Sequence, residues 1–488
     1  MSEDWQEKLR KLHDRLLAEG PRSPKVDGAD GTKKASSPSR PIQGIRRSPE
    51  ATVPAIDAIL GIDFGTRFTK VAVFLPHINR RVILGLGDKR DRVVPSRVVV
   101  GDDERLYSIT CAPNTKPKMV IEYLKNRLAS PGAEAFGASF HVGNIPLDRI
   151  VKAACAYYLA DILRKAESAA RRAFPAELTP QRPINWSANI GVPTKHYDSK
   201  MVDVFREVSA VAWTWRTKVG PAPLPAELVA EYEKAAARVQ PNDMPIQVAP
   251  ELTAALVHFA EHRNTAAGVY SFFDIGGGTL DGSVFRLRRE RDGPSFDILS
   301  ANVEELGTMA VTRKIVSHVY RRMVAEVEKP IIFGGPSPKI SLAVPPEVEE
   351  NIQTFFASVI GAAQQRGLFP PSSQPDRRGL NEAIKPMLPV FLAGGGCRSE
   401  WYQNLFSRTC EQYGHSAQWG ISGYDVKIVP APANTVDDEY PRFVIALGLT
   451  SQTLHFNQYR LPSRYSAVPG LPARNPSAPD YRDTKDLV

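Results

Sequence analysis

At 488 residues, with 42% hydrophobic and 24% charged side chains, the chain reads as an ordinary globular protein of two or more domains or lobes. No apolar stretch is long enough to cross a bilayer and no signal-peptide pattern is present, which points to the cytoplasm; the four cysteines (Cys111, Cys155, Cys397, Cys410) lack CxxC spacing and read as reduced thiols. The formal charge of +9 is spread along the chain in short clusters, which suits an anionic ligand and a solvated surface better than nucleic acid.

Residues 4–18 carry Trp5, Leu9, Leu12 and Leu16 at helical spacing. Asp4 and Glu7 resemble a capping box, and Gly20-Pro21 stops the helix. Residues 1–20 are therefore expected to form an amphipathic helix that docks on a protein partner, the alternative being a segment that packs back on the body or stays half-ordered. Residues 21–54 are rich in Pro, Ser, Gly and Lys/Arg, with almost no large apolar side chains. They bury too little surface to offset ordering entropy and are expected to be a disordered tether.

Globular structure is expected from residue 55. Residues 59–62 and 71–75 read as strands around a glycine turn, followed by strands at 81–86 and 97–100. Residues 147–174 have a long alanine-rich helical pattern, and 188–192 form a short strand ending at Pro193. Helices are expected at 198–211 and 226–239, then a strand at 247–248 and a helix at 252–263. Strands at 269–273 and 282–286 flank a second glycine turn. A strand at 389–393, a third glycine turn, a helix at 401–410, a strand at 426–429 and a helix at 443–453 complete the body. The Pro-rich residues 457–488 are expected to be irregular or extended over the surface.

Three glycine-bearing segments carry the chemistry: Gly61-Ile62-Asp63-Phe64-Gly65-Thr66-Arg67, Asp274-Ile275-Gly276-Gly277-Gly278-Thr279-Leu280-Asp281, and Leu392-Ala393-Gly394-Gly395-Gly396-Cys397-Arg398. Gly65, Gly276, Gly277 and Gly278 allow backbone amides close to a phosphate, and Thr66 and Thr279 add hydroxyl donors. Asp63 and Asp274 would repel phosphate directly. Their sensible place is on the water shell of a bridging magnesium ion, which keeps several waters and takes few carboxylates; a turn-capping role is the alternative. Gly394, Gly395 and Gly396 have no companion acid and suit close approach to a base or ribose, with Arg398 able to stack on adenine. A plain helix-start turn is the alternative there. The chain has no GxxxxGK[ST] segment, no GxGxxG with a following acid and no protein-kinase set.

These segments resemble the phosphate-1, phosphate-2 and adenosine motifs of the actin, sugar-kinase and 70-kDa heat-shock ATPase superfamily. Local segments bring the resemblance nearest to the nucleotide-binding domain of DnaK-type chaperones. They are Val94-Pro95-Ser96, Glu122-Tyr123-Leu124-Lys125-Asn126-Arg127-Leu128, Asn189-Ile190-Gly191-Val192-Pro193, Glu251-Leu252-Thr253-Ala254-Ala255 and Ala446-Leu447-Gly448. The similarity covers residues 56–456 and is poorest between 311 and 385.

The resemblance implies an α/β chain with an actin-like ATPase fold, two ribonuclease-H-like lobes around a nucleotide cleft. Lobe one would span 55–254, lobe two 255–442, and a connecting helix at 443–456 would return to lobe one. It implies ATP or ADP with Mg2+ in the cleft and Asp63 and Asp274 on the metal's water shell. Lys125 would hold the attacking water or a γ-phosphate oxygen, Glu251 would join the metal or water network, and Thr66 and Thr279 would bond the phosphates, with Arg67 a further candidate. An ordinary surface lysine and an acid favoured by a helix N-terminus are the alternatives for Lys125 and Glu251. Met201 stands where the family's relay arginine is expected, and the charged helix that serves adenosine is hard to find in 347–366.

DnaK-type chaperones carry a β-sandwich peptide-binding domain after the ATPase, and the roughly thirty residues beyond the body are too few for one. The expectation is thus a heat-shock-like ATPase whose slow hydrolysis switches a protein partner, without a peptide-binding domain. An actin-like polymerising ATPase, a small-metabolite kinase with Asp281 as candidate base, and a pseudo-ATPase without turnover are the alternatives.

Overall fold

Uninterrupted apolar runs decide how the body is layered. Val71, Ala72, Val73, Phe74 and Leu75 follow one another and are all buried, so their strand must be covered on both faces. The computed structural model describes residues 54–86, 91–129, 141–142, 145–197, 199–218, 220–261, 265–290, 293–309, 311–312, 344–366, 387–414, 423–431, 437, 439–452 and 459–460. All of them belong to the unit Val53–Val488. The helix expected at 4–18, the tether but for its last residue, and most of the 457–488 tail lie outside the described residues.

In the first sheet, β1 (Ile56–Phe64), β2 (Phe68–Leu75) and β3 (Arg80–Leu84) form an antiparallel meander, and β4 (Val94–Pro95) pairs with β2. β5 (Val98–Gly101), β6 (Leu106–Ser108) and β7 (Pro117–Ile121) make a small antiparallel sheet that leads to α1 (Leu124–Ala129). After the short hairpin of β8 (His141–Val142) and β9 (Ile145–Pro146), α2 (Leu147–Ala173) returns the chain to β10 (Ile184–Val192), parallel to β1. The helices α3 (Thr194–Tyr197), α4 (Met201–Trp215) and α5 (Pro225–Ala236) precede β11 (Ile246–Pro250), parallel to β10.

The second sheet repeats that plan. α6 (Glu251–Glu261) leads into an antiparallel meander of β12 (Gly268–Ile275), β13 (Leu280–Glu290) and β14 (Gly293–Glu304). α7 (Pro346–Gln365) precedes β15 (Met387–Ala393), parallel to β12, and α8 (Glu400–Gly414) precedes β16 (Gly423–Ile428), parallel to β15. The strand orders are β11-β10-β1-β2-β3 and β16-β15-β12-β13-β14. In both, two parallel strands are added beside the first strand of a three-stranded meander. α9 (Tyr440–Gly448) follows, and β17 (Tyr459–Arg460) pairs in parallel with β14. Those two residues of the stretch expected to be irregular therefore close a sheet edge.

Each sheet has its own core, and a third lies around α6 and α9. In the second, Phe273 of β12 meets Phe356 of α7 at 5.3 Å and Phe406 of α8 at 5.0 Å between ring centroids. α6 and α9 cross backbone to backbone. A Cβ on Gly448 would lie 1.8 Å from the Ala254 carbonyl oxygen, so only glycine permits the approach.

Two elements differ from expectation. β14 escapes an alternation test because a bulge at Val284/Phe285 shifts its register, leaving Ile298, Leu299 and Ser300 all buried. Residues 346–365 form one continuous helix, with Val348, Ile352, Phe355, Val359 and Ala363 on its buried stripe.

Candidate functional site

Each meander's first turn is one of the Asp-Gly-Thr segments, so the repeated topology brings two similar hairpins into one cleft. In the first, Gly65 N–H donates to the Asp63 carbonyl at 2.9 Å. The register sets Asp63 opposite Lys70, whose Nζ donates to Asp63 Oδ2 at 2.6 Å, and both side chains are largely buried. Thr66 Oγ1 donates to Asn126 Oδ1 at 2.6 Å, tying the hairpin to α1.

In the second hairpin Gly276 N–H donates to the Thr279 carbonyl at 2.9 Å, and the register sets Asp274 opposite Asp281. The carbonyls of Gly276, Gly277 and Gly278 accept from the N–H groups of Thr308, Met309 and Gly307 at 3.0, 2.8 and 3.2 Å. Their carbonyls are thus satisfied from outside the hairpin. Among the described residues, the amides of Thr66, Gly277 and Gly278 donate to no backbone carbonyl. Such free amides in tight turns are what an anionic oxygen needs. The hairpins touch: a Cβ on Gly277 would lie 2.7 Å from Arg67 Cβ, and one on Gly278 2.5 Å from Thr66 Cγ2.

The third glycine turn closes the cleft beside Asp274. Gly394 has φ +83°, and a Cβ there would lie 2.1 Å from Asp274 Oδ1. Its N–H donates to the Pro441 carbonyl at 3.1 Å, fixing the turn to the start of α9. Gly395 and Gly396 line the cleft, together with Arg442, which is bonded to Glu439 at 3.2 Å. Arg398, the arginine expected to serve a base, ends the turn and is not among the residues lining the cleft. α9 lays Arg442 against the turn, where a Cβ on Gly395 would lie 3.5 Å from Arg442 Nε.

Lys125 and Glu251 meet at the cleft floor although they lie far apart in the chain. Tyr123, at φ +60°, bends the chain sharply out of β7 so that α1 points Lys125 inward. Glu251 is the first residue of α6, directly after Pro250 of β11. The two form a buried ion pair, which excludes an ordinary surface lysine. Arg67 and Thr279 line the same cleft.

Four carboxylates (Asp63, Glu251, Asp274, Asp281) thus face two lysines, Lys70 and Lys125. Burial raises the Glu251 carboxyl to about 7, against the opposing pull of Lys125 and with added repulsion from Asp63. Burial raises Asp274 to about 6, opposed by Lys70 and Lys125. Asp281 is pushed well above its ordinary value by burial and by Glu251 and Asp274. Burial pulls the Lys125 ammonium down, but Glu251, Asp63 and Asp281 outweigh that and hold it above its usual value.

Asp274 Oδ1 and Asp281 Oδ1 are buried without a hydrogen-bond partner among the described residues. Two orphaned carboxylate oxygens in a site with surplus negative charge fit a hydrated divalent cation, which needs few direct protein ligands. Among the described residues no group of three or more His, Cys, Asp or Glu side chains is arranged to grip a metal directly. The cleft encloses about 50 Å³, below the usual size of a small-molecule site.

Lys70 and Arg442 join the site without having been singled out from the sequence, and Asp281 lines it opposite Asp274. Lys70 and Asp281 were within reach by counting outward from each hairpin turn. Arg442 carried no local signal. No helix among the described residues is long and apolar enough to cross a membrane. Compared with protein-family models and with curated proteins, the chain matches none.

Proposed function

We propose that the protein is an ATP hydrolase of the actin-like and heat-shock-like kind, binding Mg-ATP between two ribonuclease-H-like lobes and signalling to a protein partner by opening and closing its cleft. One observation carries this reading. The same five-strand order occurs twice, and its two Asp-bearing hairpins converge with their free amides beside an orphaned Asp274. In this reading the amides of Thr66, Gly277 and Gly278 cradle phosphate oxygens, and the Thr279 hydroxyl adds a donor. Asp63, Asp274 and Asp281 would hold magnesium through its waters, and the ion would supply charge neutralisation at the phosphates.

Lys125 places a positive charge where the terminal phosphate lies. Glu251, whose carboxyl burial makes more basic than usual, orients the attacking water and accepts its proton. Because the closed cleft is too small for the nucleotide, binding and release require lobe motion, and that motion is the signal.

A small-metabolite kinase is the second reading, favoured by buried Asp281, whose Oδ1 lacks a partner among the described residues, as an acceptor base. Phosphate release from ATP with no added acceptor decides between them. Release at a steady rate supports the hydrolase, and release only with an added alcohol acceptor supports the kinase. No nucleotide binding by calorimetry, with or without magnesium, sinks both.

A further inference from the structure

The direction in which the second hairpin's amides point is set from behind the hairpin. A peptide unit is planar and trans, so its C=O and its N–H point in opposite directions. The Gly276 carbonyl shares a peptide plane with the Gly277 N–H, and the Gly277 carbonyl shares one with the Gly278 N–H. Thr308 N–H and Met309 N–H hold those two carbonyls at 3.0 and 2.8 Å, and Gly307 N–H holds the Gly278 carbonyl at 3.2 Å. Three consecutive donors therefore turn the Gly277 and Gly278 amides to the opposite side, and Gly277 and Thr279 line the cleft.

The donor segment, residues 306–309, is itself fixed on three sides. Tyr402 of α8 is fully buried, and its hydroxyl donates to the Leu306 carbonyl at 2.9 Å. A Cβ on Gly396 would lie 2.7 Å from Thr308 Cγ2, so the third glycine turn packs against the segment. The Tyr123 hydroxyl donates to Met309 Sδ at 3.6 Å, from the bend that precedes Lys125. Gly307 makes the closest approach. A Cβ there would lie 2.6 Å from the Gly278 carbonyl carbon and from the Thr279 amide nitrogen, and 2.7 Å from the Gly276 carbonyl oxygen. All three are backbone atoms of the hairpin, so no side-chain rotation relieves the contact. Ordinary contact returns only if hairpin and segment part by about 1 Å.

We propose that residues 306–309 are the backing that aims the phosphate-gripping amides, with Gly307 as its positioning residue. The inference rests on the nucleotide reading and deepens it: Gly307 acts through the hairpin backbone, so its effect is confined to ligands that carry phosphate. Calorimetry with magnesium, at a temperature where circular dichroism shows the full chain folded, compares ATP with adenosine. Gly307→Ala is expected to weaken ATP by about tenfold and to leave adenosine unchanged. Tyr402→Phe keeps the ring and loses the hydroxyl on Leu306; it is expected to weaken ATP by about threefold, again without effect on adenosine. A role in stability alone lowers Tm but leaves the ATP affinity of the folded protein as it was. Parental ATP affinity in folded Gly307→Ala, or equal losses for ATP and adenosine, overturns this inference alone. If Gly307→Ala does not fold, the same two outcomes in Tyr402→Phe overturn it. A parent that binds no ATP sinks the nucleotide reading and this inference with it.

Discussion

Replacing Asp274 by Asn asks whether the folded protein tolerates an unfavourable carboxylate for the sake of its ligand. Burial is the main cause that moves this group from 3.8 to about 6, with Asp63 adding to it and Lys70 and Lys125 opposing. A folded-state value above the unfolded one means that the folded protein binds the proton more tightly. Stability contributed by the neutral form is therefore lost as pH rises through the window from about 4 to about 6, and the deficit is complete above it. Two units correspond to about 3 kcal/mol. Asn has nearly the same shape and no charge to desolvate. Asp274→Asn is thus expected to exceed the parent by up to about 3 kcal/mol at about pH 8 and to match it below about pH 4.

Urea unfolding followed by circular dichroism, in EDTA and without nucleotide, measures the difference across that range. The same variant is expected to lose ATP turnover, a gain in stability at the expense of activity. A variant less stable than the parent at alkaline pH refutes the electrostatic account, because the carboxylate would then be held by favourable partners. Undiminished turnover refutes its place in the mechanism.

Lys125→Met strands the buried Glu251 carboxylate and is expected to cost about 3–5 kcal/mol in urea unfolding. Adding Glu251→Gln should restore most of that stability but none of the phosphate release. Gly394→Ala forces a Cβ onto Asp274 Oδ1 at φ +83° and is expected to cost about 1–3 kcal/mol, read as a lower Tm and weaker nucleotide binding. Arg442→Gln is expected to weaken ATP binding by about tenfold in calorimetry, whereas Arg398→Gln leaves it unchanged; the reverse pattern would return the base-contacting role to Arg398.

What could be read from the sequence follows the range of each interaction. The Asp63 and Asp274 hairpins were legible because aspartate, glycine and threonine stand within a few positions and the turn chemistry is local. Lys125 and Glu251 were each legible as single candidates, but their ion pair joins residues 126 positions apart and no spacing rule reaches that far. Arg398 drew attention because it ends a glycine segment, yet Arg442 is nearer to Gly395 in space. The stripe of α7 is present in the sequence, with Val348, Ile352, Phe355 and Val359 at helical spacing. Lys70 becomes a site residue only through the strand register, which sets it opposite Asp63.

The way α9 covers the first sheet bears on how the protein is made. Arg81 Nε donates to Thr450 Oγ1 at 3.1 Å across 369 positions of sequence, and Asn189 Nδ2 donates to the Leu449 carbonyl at 2.7 Å. A Cβ on Gly61 would lie 2.2 Å from the Ala446 carbonyl oxygen, so the helix backbone lies directly on β1. A ribosome delivers that helix long after the strands it covers have emerged. Throughout the interval the growing chain holds out Ala72 and its neighbours as an open apolar face, a state prone to sticking and slow to resolve. The protein is thus demanding to fold during synthesis, and chains released before residue 440 should accumulate as aggregates.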